Sequence, residues 1–174
     1  MTIRVLIADD QRIVRAGLRL ILDAEPDIEV VAEAVDGREA VELAEDLRPD
    51  VCLLDIRMPE LDGIEATRLL AGPDVTDPLA VVVITTFDLD EYVHGALKAG
   101  ARGFLLKDAG PDLLAQAVRA AANGDALIAP SVTARLLSTF SGLGDSTREP
   151  AAQPIAPLTE REEEVLVTVA LGRT

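Results

Sequence analysis

Several polar side chains of this sequence lie at the carboxyl ends of apolar runs. They are Asp9 and Asp10 after Ile3–Ala8, Asp55 near the end of Val51–Ile56, Thr85 after Leu79–Ile84, and Lys107 after Gly103–Leu106. A carboxylate such as Asp55 is costly within a run suited to burial, because a buried charge needs partners or a shifted pKa. We therefore expect Asp55 to emerge at the end of a strand and to find partners there.

Three carboxylates and a lysine at one edge of a sheet could accept a phosphoryl group. Carboxylates that lie close together repel one another and favour a cation, and hard oxygen ligands favour Mg²⁺. Asp55 would then stay ionised and could attack phosphorus in line, forming an aspartyl phosphate. Lys107 would pair with the phosphoryl oxygens, and Thr85 would donate a hydrogen bond to one of them.

Each of these residues also has a simpler interpretation. Asp9 and Asp10 could cap a helix that begins after them, and Asp55 could be a cap as well. Lys107 could form a surface pair with Asp108. Their shared position at strand ends favours the chemical interpretation over these separate ones.

The elements that position these residues follow from the apolar pattern. Five short runs, rich in Val, Ile and Leu, alternate with segments of helical spacing, which is typical of parallel strands covered on both faces. The runs are Ile3–Ala8, Ile28–Ala32, Val51–Ile56, Leu79–Ile84 and Gly103–Leu106. We predict an α/β fold over residues 1–124, with a parallel sheet of strand order 2-1-3-4-5 and helices on both faces. Open sheets of this kind bind ligands at the carboxyl edge.

The sequence changes character after Gly124. Residues 125–140 are predicted to form a short helical extension, and residues 141–157 have the Pro, Gly, Ser and Ala content of a linker. Residues 158–174 are predicted to form an amphipathic helix, in which Thr159 and Glu162 make a capping box. One helix cannot bury its own apolar stripe.

Charge and composition exclude some functions. The formal net charge of −15 argues against a nucleic-acid footprint on the chain as a whole, so any DNA contact would need a locally basic element. The single cysteine, Cys52, rules out an internal disulfide and suits a buried thiol in a reducing cytoplasm. The apolar runs are too short to cross a bilayer, and the N-terminus lacks a signal pattern. We expect a cytoplasmic protein without a membrane partner.

Four motifs together resemble the receiver domain of two-component response regulators. They are "LIADD", "LLDIRMPELDGIE", "VVVITTF" and "KAGARGFLLKD". The match covers about residues 1–122 and implies a flavodoxin-like (βα)5 fold with a Mg²⁺-dependent phosphorylation site.

The resemblance also implies a role for each matching residue. Asp55 corresponds to the phosphoacceptor, Lys107 to the invariant lysine, Thr85 to the switch hydroxyl and Phe104 to the switch aromatic. The implied ligands of Mg²⁺ are Asp9, Asp10, Asp55 and the backbone carbonyl of Arg57. Met58, Pro59 and Gly63 match the loop that shapes the site.

The stretches "ALKAGARGFLLKD" and "LTEREEEVLVTVALGRT" resemble NarL/FixJ-type regulators, in which a LuxR-type helix-turn-helix domain follows the receiver. The second stretch resembles the first helix of that domain, so we expect a truncated domain. Residues 141–174 carry three basic and six acidic side chains, and we expect no specific DNA binding by this chain alone. The implied partners are a sensor histidine kinase and a second copy of the chain. The receiver would catalyse only its own phosphorylation and dephosphorylation.

Two other functions are compatible with parts of the pattern. A receiver fold could sense a ligand or a protein partner without phosphorylation, although it would then need neither the acids nor Lys107. A hydrolase of the phosphoaspartyl type shares the nucleophilic Asp and Mg²⁺, but it places the nucleophile after the first strand in a D-x-D pattern. Here "DDQR" lacks the second acid of that pattern.

Overall fold

Parallel strands and helices alternate along this chain. The computed structural model describes residues 1–86, 90–134 and 136–137. Within those residues the strands are β1 (Ile3–Ala8), β2 (Ile28–Ala34), β3 (Val51–Leu54), β4 (Ala80–Thr85), β5 (Gly103–Leu106) and β6 (Leu127–Ile128). The helices with assigned bounds are α1 (Arg12–Asp23), α2 (Gly37–Leu47), α3 (Gly63–Ala71), α4 (Asp90–Lys98) and α5 (Pro111–Ala122).

The strands form one sheet in the order β2-β1-β3-β4-β5-β6, and each neighbouring pair is parallel. This confirms the predicted α/β fold and the predicted order of the first five strands. Every residue of β3 and β4 is buried, as expected for central strands covered by helices on both faces. Two bounds differ from the prediction in a way that matters for the site: β3 ends at Leu54, and β4 extends to Thr85.

Acidic caps fix where two helices begin. The Asp36 side chain accepts a hydrogen bond from the backbone N–H of Glu39 over 2.9 Å, at the start of α2. The Asp62 side chain accepts from the N–H groups of Ile64 and Glu65, each over 2.9 Å, at the start of α3. Such caps satisfy N–H groups that have no partner within the helix. They therefore fix where α2, which packs against β1 and β2, and α3, which packs against β4, begin.

The chain continues along the sheet beyond α5. Strand β6 pairs with β5: the N–H of Leu127 donates to the carbonyl of Arg102, and the N–H of Ala129 to that of Phe104, each over 3.0 Å. Residues 130–134 and 136–137 are helical, and Val132 is buried. The extension was predicted to be helical, whereas a short strand comes first. The predicted linker and last helix lie outside the described residues.

No helix of the described residues is long and apolar enough to cross a bilayer.

Candidate functional site

The register of the sheet places the first two acidic positions side by side. Ala8 of β1 pairs with Leu54 of β3, so Asp9 and Asp55 are the next residues along two adjacent strands. The backbone N–H of Asp55 donates to the carbonyl of Ala8 over 2.9 Å, which continues the ladder past the end of β3. Both side chains therefore leave the sheet at its carboxyl edge.

The same edge receives the residues of β4 and β5. Thr85 pairs with Leu106, and the N–H of Lys107 donates to the carbonyl of Thr85 over 2.9 Å. Thr85 is fully buried. The structure thus brings the predicted threonine and lysine to the edge where the acids lie, because parallel strands end together.

Asp9, Asp10 and Asp55 form a compact acidic cluster. One carboxylate oxygen from each lies within 4.8 Å of the others. Asp9 is fully buried and Asp55 is 4% exposed, whereas Asp10 is exposed. The cluster is therefore closed on the side of the sheet and reachable from solvent on the side of Asp10.

Lys107 neutralises part of this charge. Its Nζ atom lies 2.5 Å from Oδ2 of Asp9 and 3.0 Å from Oδ2 of Asp55, and its side chain is only 9% exposed. The simpler interpretation of Lys107 as a surface partner of Asp108 does not describe this position. A charge this enclosed needs its ionic partners, because removing them would leave it desolvated and unpaired.

The simpler interpretation of the acidic pair as a helix cap also fits poorly. The residue that precedes α1 is Gln11, and it makes no side-chain capping bond. Asp9 accepts a hydrogen bond from the N–H of Gln11 through Oδ1 over 2.9 Å, while its Oδ2 faces Lys107. Asp9 therefore orients the turn before α1 and still presents one oxygen to the cluster.

The pKa values of Asp55 and Lys107 shift in the same direction. Burial raises the pKa of Asp55, and the hydrogen bond from Lys107 opposes this rise without cancelling it. Burial lowers the pKa of Lys107, but its hydrogen bonds to Asp9 and Asp55 outweigh burial, so the net pKa is raised. The two shifts therefore have different main causes: burial for Asp55, and the carboxylates of Asp9 and Asp55 for Lys107.

The donor set fits a hard divalent cation. The three carboxylates of the cluster and the ammonium group of Lys107 leave a formal charge of −2. Carboxylate oxygens are the ligands that Mg²⁺ prefers in proteins. Asp9, Asp10 and Asp55 could therefore hold a metal ion. The role of the Arg57 carbonyl as a further ligand stays a prediction.

The structure gives the positions of the two implied switch residues, Thr85 and Phe104. Thr85 lies at the edge of the site, as expected. Phe104 is fully buried, and its backbone carbonyl accepts the hydrogen bond from Ala129 described above. The implied role of Phe104 as the switch aromatic stays a prediction.

Sequence reasoning missed two contacts of the site. The backbone N–H of Ile56 donates to Oδ1 of Asp55 over 2.8 Å, and this backbone group has no signature in the sequence. Arg57 donates from Nη2 to the hydroxyl of Tyr92 over 3.0 Å. The only available signal was that Tyr92 is the single tyrosine of the chain.

Cys52 is buried within β3, and burial raises the pKa of its thiol to about 12. The thiol is therefore protonated at neutral pH and unreactive, as the sequence predicted.

Comparison with known proteins agrees with this arrangement. Residues 5–119 match the response regulator receiver domain. The chain belongs to the response regulator receiver family. It contains a receiver domain of the two-component type, and the match spans every strand end that contributes to the acidic cluster.

Its relatives are transcriptional regulatory proteins. The chain is 42% identical over 172 residues to the transcriptional regulatory protein LiaR of Bacillus subtilis, covering 99% of this chain and 78% of LiaR. It is 41% identical over 182 residues to the transcriptional regulatory protein DegU of Brevibacillus brevis, covering 98% of this chain and 75% of DegU. These matches confirm the predicted resemblance to transcriptional response regulators.

Solved structures lead to the same family. A LuxR-family two-component response regulator from Aurantimonas sp. SI85-9A1 aligns with a TM-score of 0.75 at 31% identity, over 81% of this chain and 99% of that one. The response regulator ChrA of a heme-sensing two-component system aligns with a TM-score of 0.68 at 39% identity, over 99% of this chain and 77% of that one.

Proposed function

We propose that this chain accepts a phosphoryl group on Asp55 and thereby controls transcription. A single observation carries the proposal. Asp55 lies in a cluster of three carboxylates that is open to solvent at Asp10 and is contacted by the buried ammonium group of Lys107. A receiver that bound a partner without phosphorylation would gain nothing from this costly concentration of charge.

Each residue has a defined task in the proposed reaction. A carboxylate oxygen of Asp55 attacks phosphorus in line with the bond to the donor, which is the phosphohistidine of a sensor histidine kinase. The phosphorus–nitrogen bond breaks, and its electron pair remains on the imidazole nitrogen, which takes up a proton. Lys107 pairs with the phosphoryl oxygens, and the Thr85 hydroxyl donates to one of them.

Mg²⁺ is the proposed cofactor, with Asp9, Asp10, Asp55 and the Arg57 carbonyl as ligands. When bound, it supplies positive charge that offsets repulsion between the carboxylates and the incoming phosphoryl oxygens. Lys107 remains beside Asp9 and Asp55 and holds the acceptor carboxylate in place through its hydrogen bond.

The consequence for transcription rests on the family. We propose that phosphorylation shifts the packing around Thr85 and α4, promotes homodimers, and frees a LuxR-type DNA-binding domain in the full-length regulator. The domain boundaries at 124, 140 and 157 stay predictions, as do the cytoplasmic location and the absence of any activity beyond its own phosphorylation and dephosphorylation.

Intact mass after incubation with a small acyl phosphate tests the proposal. We expect one phosphoryl adduct that requires Mg²⁺, that is absent in Asp55→Asn, and that persists in Asp46→Asn, a matched control on the exposed face of α2. Labelling of Asp55→Asn at the wild-type level would refute the assignment of the acceptor. No adduct in any variant would exclude phosphoryl acceptance from this donor and favour a ligand-sensing receiver.

A further inference from the structure

Arg57 links the end of β3 to α4. It lies two residues after Asp55, and its Nη2 atom donates to the hydroxyl of Tyr92 over 3.0 Å. The guanidinium carbon also lies 5.8 Å from the centroid of the Tyr92 ring, which is within the range of a cation–π contact. Arg57 is exposed, so water can compete for this contact and its replacement by another partner costs little.

The Arg57–Tyr92 pair lines a cleft that Asp10 of the acidic cluster also lines. An open cleft of about 490 Å³ is lined by residues that include Asp10, Arg57, Met58 and Tyr92. The Asp10 carboxylate belongs to the acidic cluster, so the cleft borders the cluster on its solvent side. Arg57, which follows Asp55 by two residues, lines this cleft beside the proposed phosphorylation site.

We propose that Tyr92 and a phosphoryl group on Asp55 compete for the guanidinium group of Arg57. The inference rests on the proposed function and adds a contact through which phosphorylation of Asp55 would affect α4. A phosphoryl group carries about −1.5 to −2 charges and three acceptor oxygens. The phenol of Tyr92 is neutral and offers one acceptor. Arginine binds phosphate through two parallel hydrogen bonds, so phosphorylation draws Arg57 away from Tyr92.

This exchange makes Tyr92 a positioning residue that acts through Arg57. Tyr92 lies in the first turn of α4, and the loss of its contact releases that turn from the β3 end. No covalent bond changes in this step, since the guanidinium group only exchanges one acceptor for another. The free energy that Arg57 gains from the phosphoryl group is reduced by what it loses at Tyr92.

The emission of Tyr92 measures the exchange directly. The chain contains one tyrosine and no tryptophan, so the tyrosine emission comes from Tyr92 alone. We expect the emission to change in step with the phosphoryl adduct measured by mass. In Arg57→Met the emission should start at the phosphorylated value and stay there, whereas Arg38→Met, a matched arginine exposed on α2, should behave like wild type.

Affinity for the phosphoryl mimic beryllium fluoride in the presence of Mg²⁺ gives a second measurement. Tyr92→Phe removes the competing hydroxyl and should tighten binding by about 2–5-fold. Arg57→Met should weaken it by about 5–10-fold, which is less than the full value of a hydrogen bond between charged groups because Arg57 is exposed. A general loss of structure would weaken binding in both variants. Opposite signs therefore support the competition and exclude a merely structural role.

The failure of this inference differs from the failure of the proposed function. If no adduct forms and the mimic does not bind, phosphoryl acceptance fails, and the competition fails with it. If Asp55 is phosphorylated but the Tyr92 emission is constant, or changes equally in Arg57→Met, the competition is wrong and the acceptor assignment stands. Equal affinity of wild type and Tyr92→Phe for the mimic would also overturn it.

Discussion

Lys107 donates a hydrogen bond from Nζ to Oδ2 of Asp55 over 3.0 Å, although the two residues lie 52 positions apart in sequence. They follow strands β5 and β3, which are separated in the sheet by β4. The lysine therefore reaches across the end of one strand to Asp55, the proposed phosphoacceptor. This contact, together with the ion pair to Asp9, makes Lys107 the cation on which the charge balance of the site depends.

Replacing Lys107 by Met should destabilise the fold and impair labelling. The change leaves the Asp9 and Asp55 carboxylates without their shared partner, at a cost of about 1–3 kcal/mol. We expect Mg²⁺ to restore part of this stability, because a bound cation supplies the missing charge. Urea unfolding at pH 7, with and without Mg²⁺, measures both effects.

The second lysine of the chain provides the control for this experiment. Lys98 is exposed on α4, and Lys98→Met should leave stability and labelling close to wild type.

The raised pKa of Lys107 means that the native state holds the proton of this ammonium group more tightly than the unfolded chain does. Its contribution is complete below the ordinary value of 10.5 and is lost as pH rises above it, so wild type and Lys107→Met should converge there. A constant difference across that range would contradict the ion-pair explanation.

The contribution of Asp55 to stability should fall as the pH rises from acid toward neutral in the absence of Mg²⁺. Burial raises the pKa of Asp55 above its ordinary value of 3.8, so the native state binds this proton more tightly than the unfolded chain. Ionisation of Asp55 therefore costs stability between that value and the raised pKa. Asp55→Asn cannot ionise, and it should show a smaller fall over the same range and a higher melting temperature at pH 7.

Asp46→Asn provides the comparison for the pH series, because Asp46 is exposed and outside the acidic cluster. Thermal melts from pH 4 to pH 7 without divalent cations distinguish the three proteins. If Asp55→Asn loses as much stability over this range as wild type, the pH dependence must come from other carboxylates. Addition of Mg²⁺ should stabilise wild type more than Asp55→Asn, since the variant loses one ligand.

Phe104→Ala should strongly reduce stability. The Phe104 side chain is fully buried in β5, and truncation of a core phenylalanine costs about 3–5 kcal/mol through lost burial and the cavity that remains. Leu69→Ala is a suitable control, because Leu69 is 56% exposed on α3 and its truncation should change stability by about 0.5 kcal/mol or less. A loss below 1 kcal/mol for Phe104→Ala in urea unfolding would show that the ring is not packed as described.

The sheet and the acidic cluster were predictable because each rests on a local pattern. Apolar runs form the central strands β1, β3, β4 and β5, which have 4–6 residues each, and their alternation with helices predicts a parallel sheet. Once the strands are assigned, the positions of Asp9, Asp55 and Lys107 at one edge follow. The pairing of Lys107 with both acids then encloses its charge with ionic partners.

The features that the sequence did not predict depend on longer-range geometry. Strand β6 has only two residues, Leu127 and Ile128, and becomes a strand because β5 offers an unpaired edge. The Arg57–Tyr92 contact depends on the position of α4 relative to β3.

Gly63→Ala should damage both the fold and the site. A Cβ atom at this position would lie 1.9 Å from the carbonyl oxygen of Asp55, so the start of α3 would have to move away from Asp55. We expect a loss of about 3 kcal/mol, at the upper end of the range for overpacking, together with slower labelling of Asp55. Urea unfolding and intact mass after a fixed time with the acyl phosphate measure these effects.

Gly17→Ala provides a control that adds the same methyl group but should have the opposite effect on stability. Gly17 lies within α1, and a Cβ atom there would meet nothing within 4 Å. Alanine favours a helix interior over glycine by about 1 kcal/mol, so this variant should be more stable than wild type and label at the wild-type rate. If Gly63→Ala were as stable and as readily labelled as Gly17→Ala, the close approach of α3 to Asp55 would not constrain the site. Reduced labelling of Gly63→Ala under conditions where it remains folded would show that this contact holds the phosphoacceptor in its reactive position.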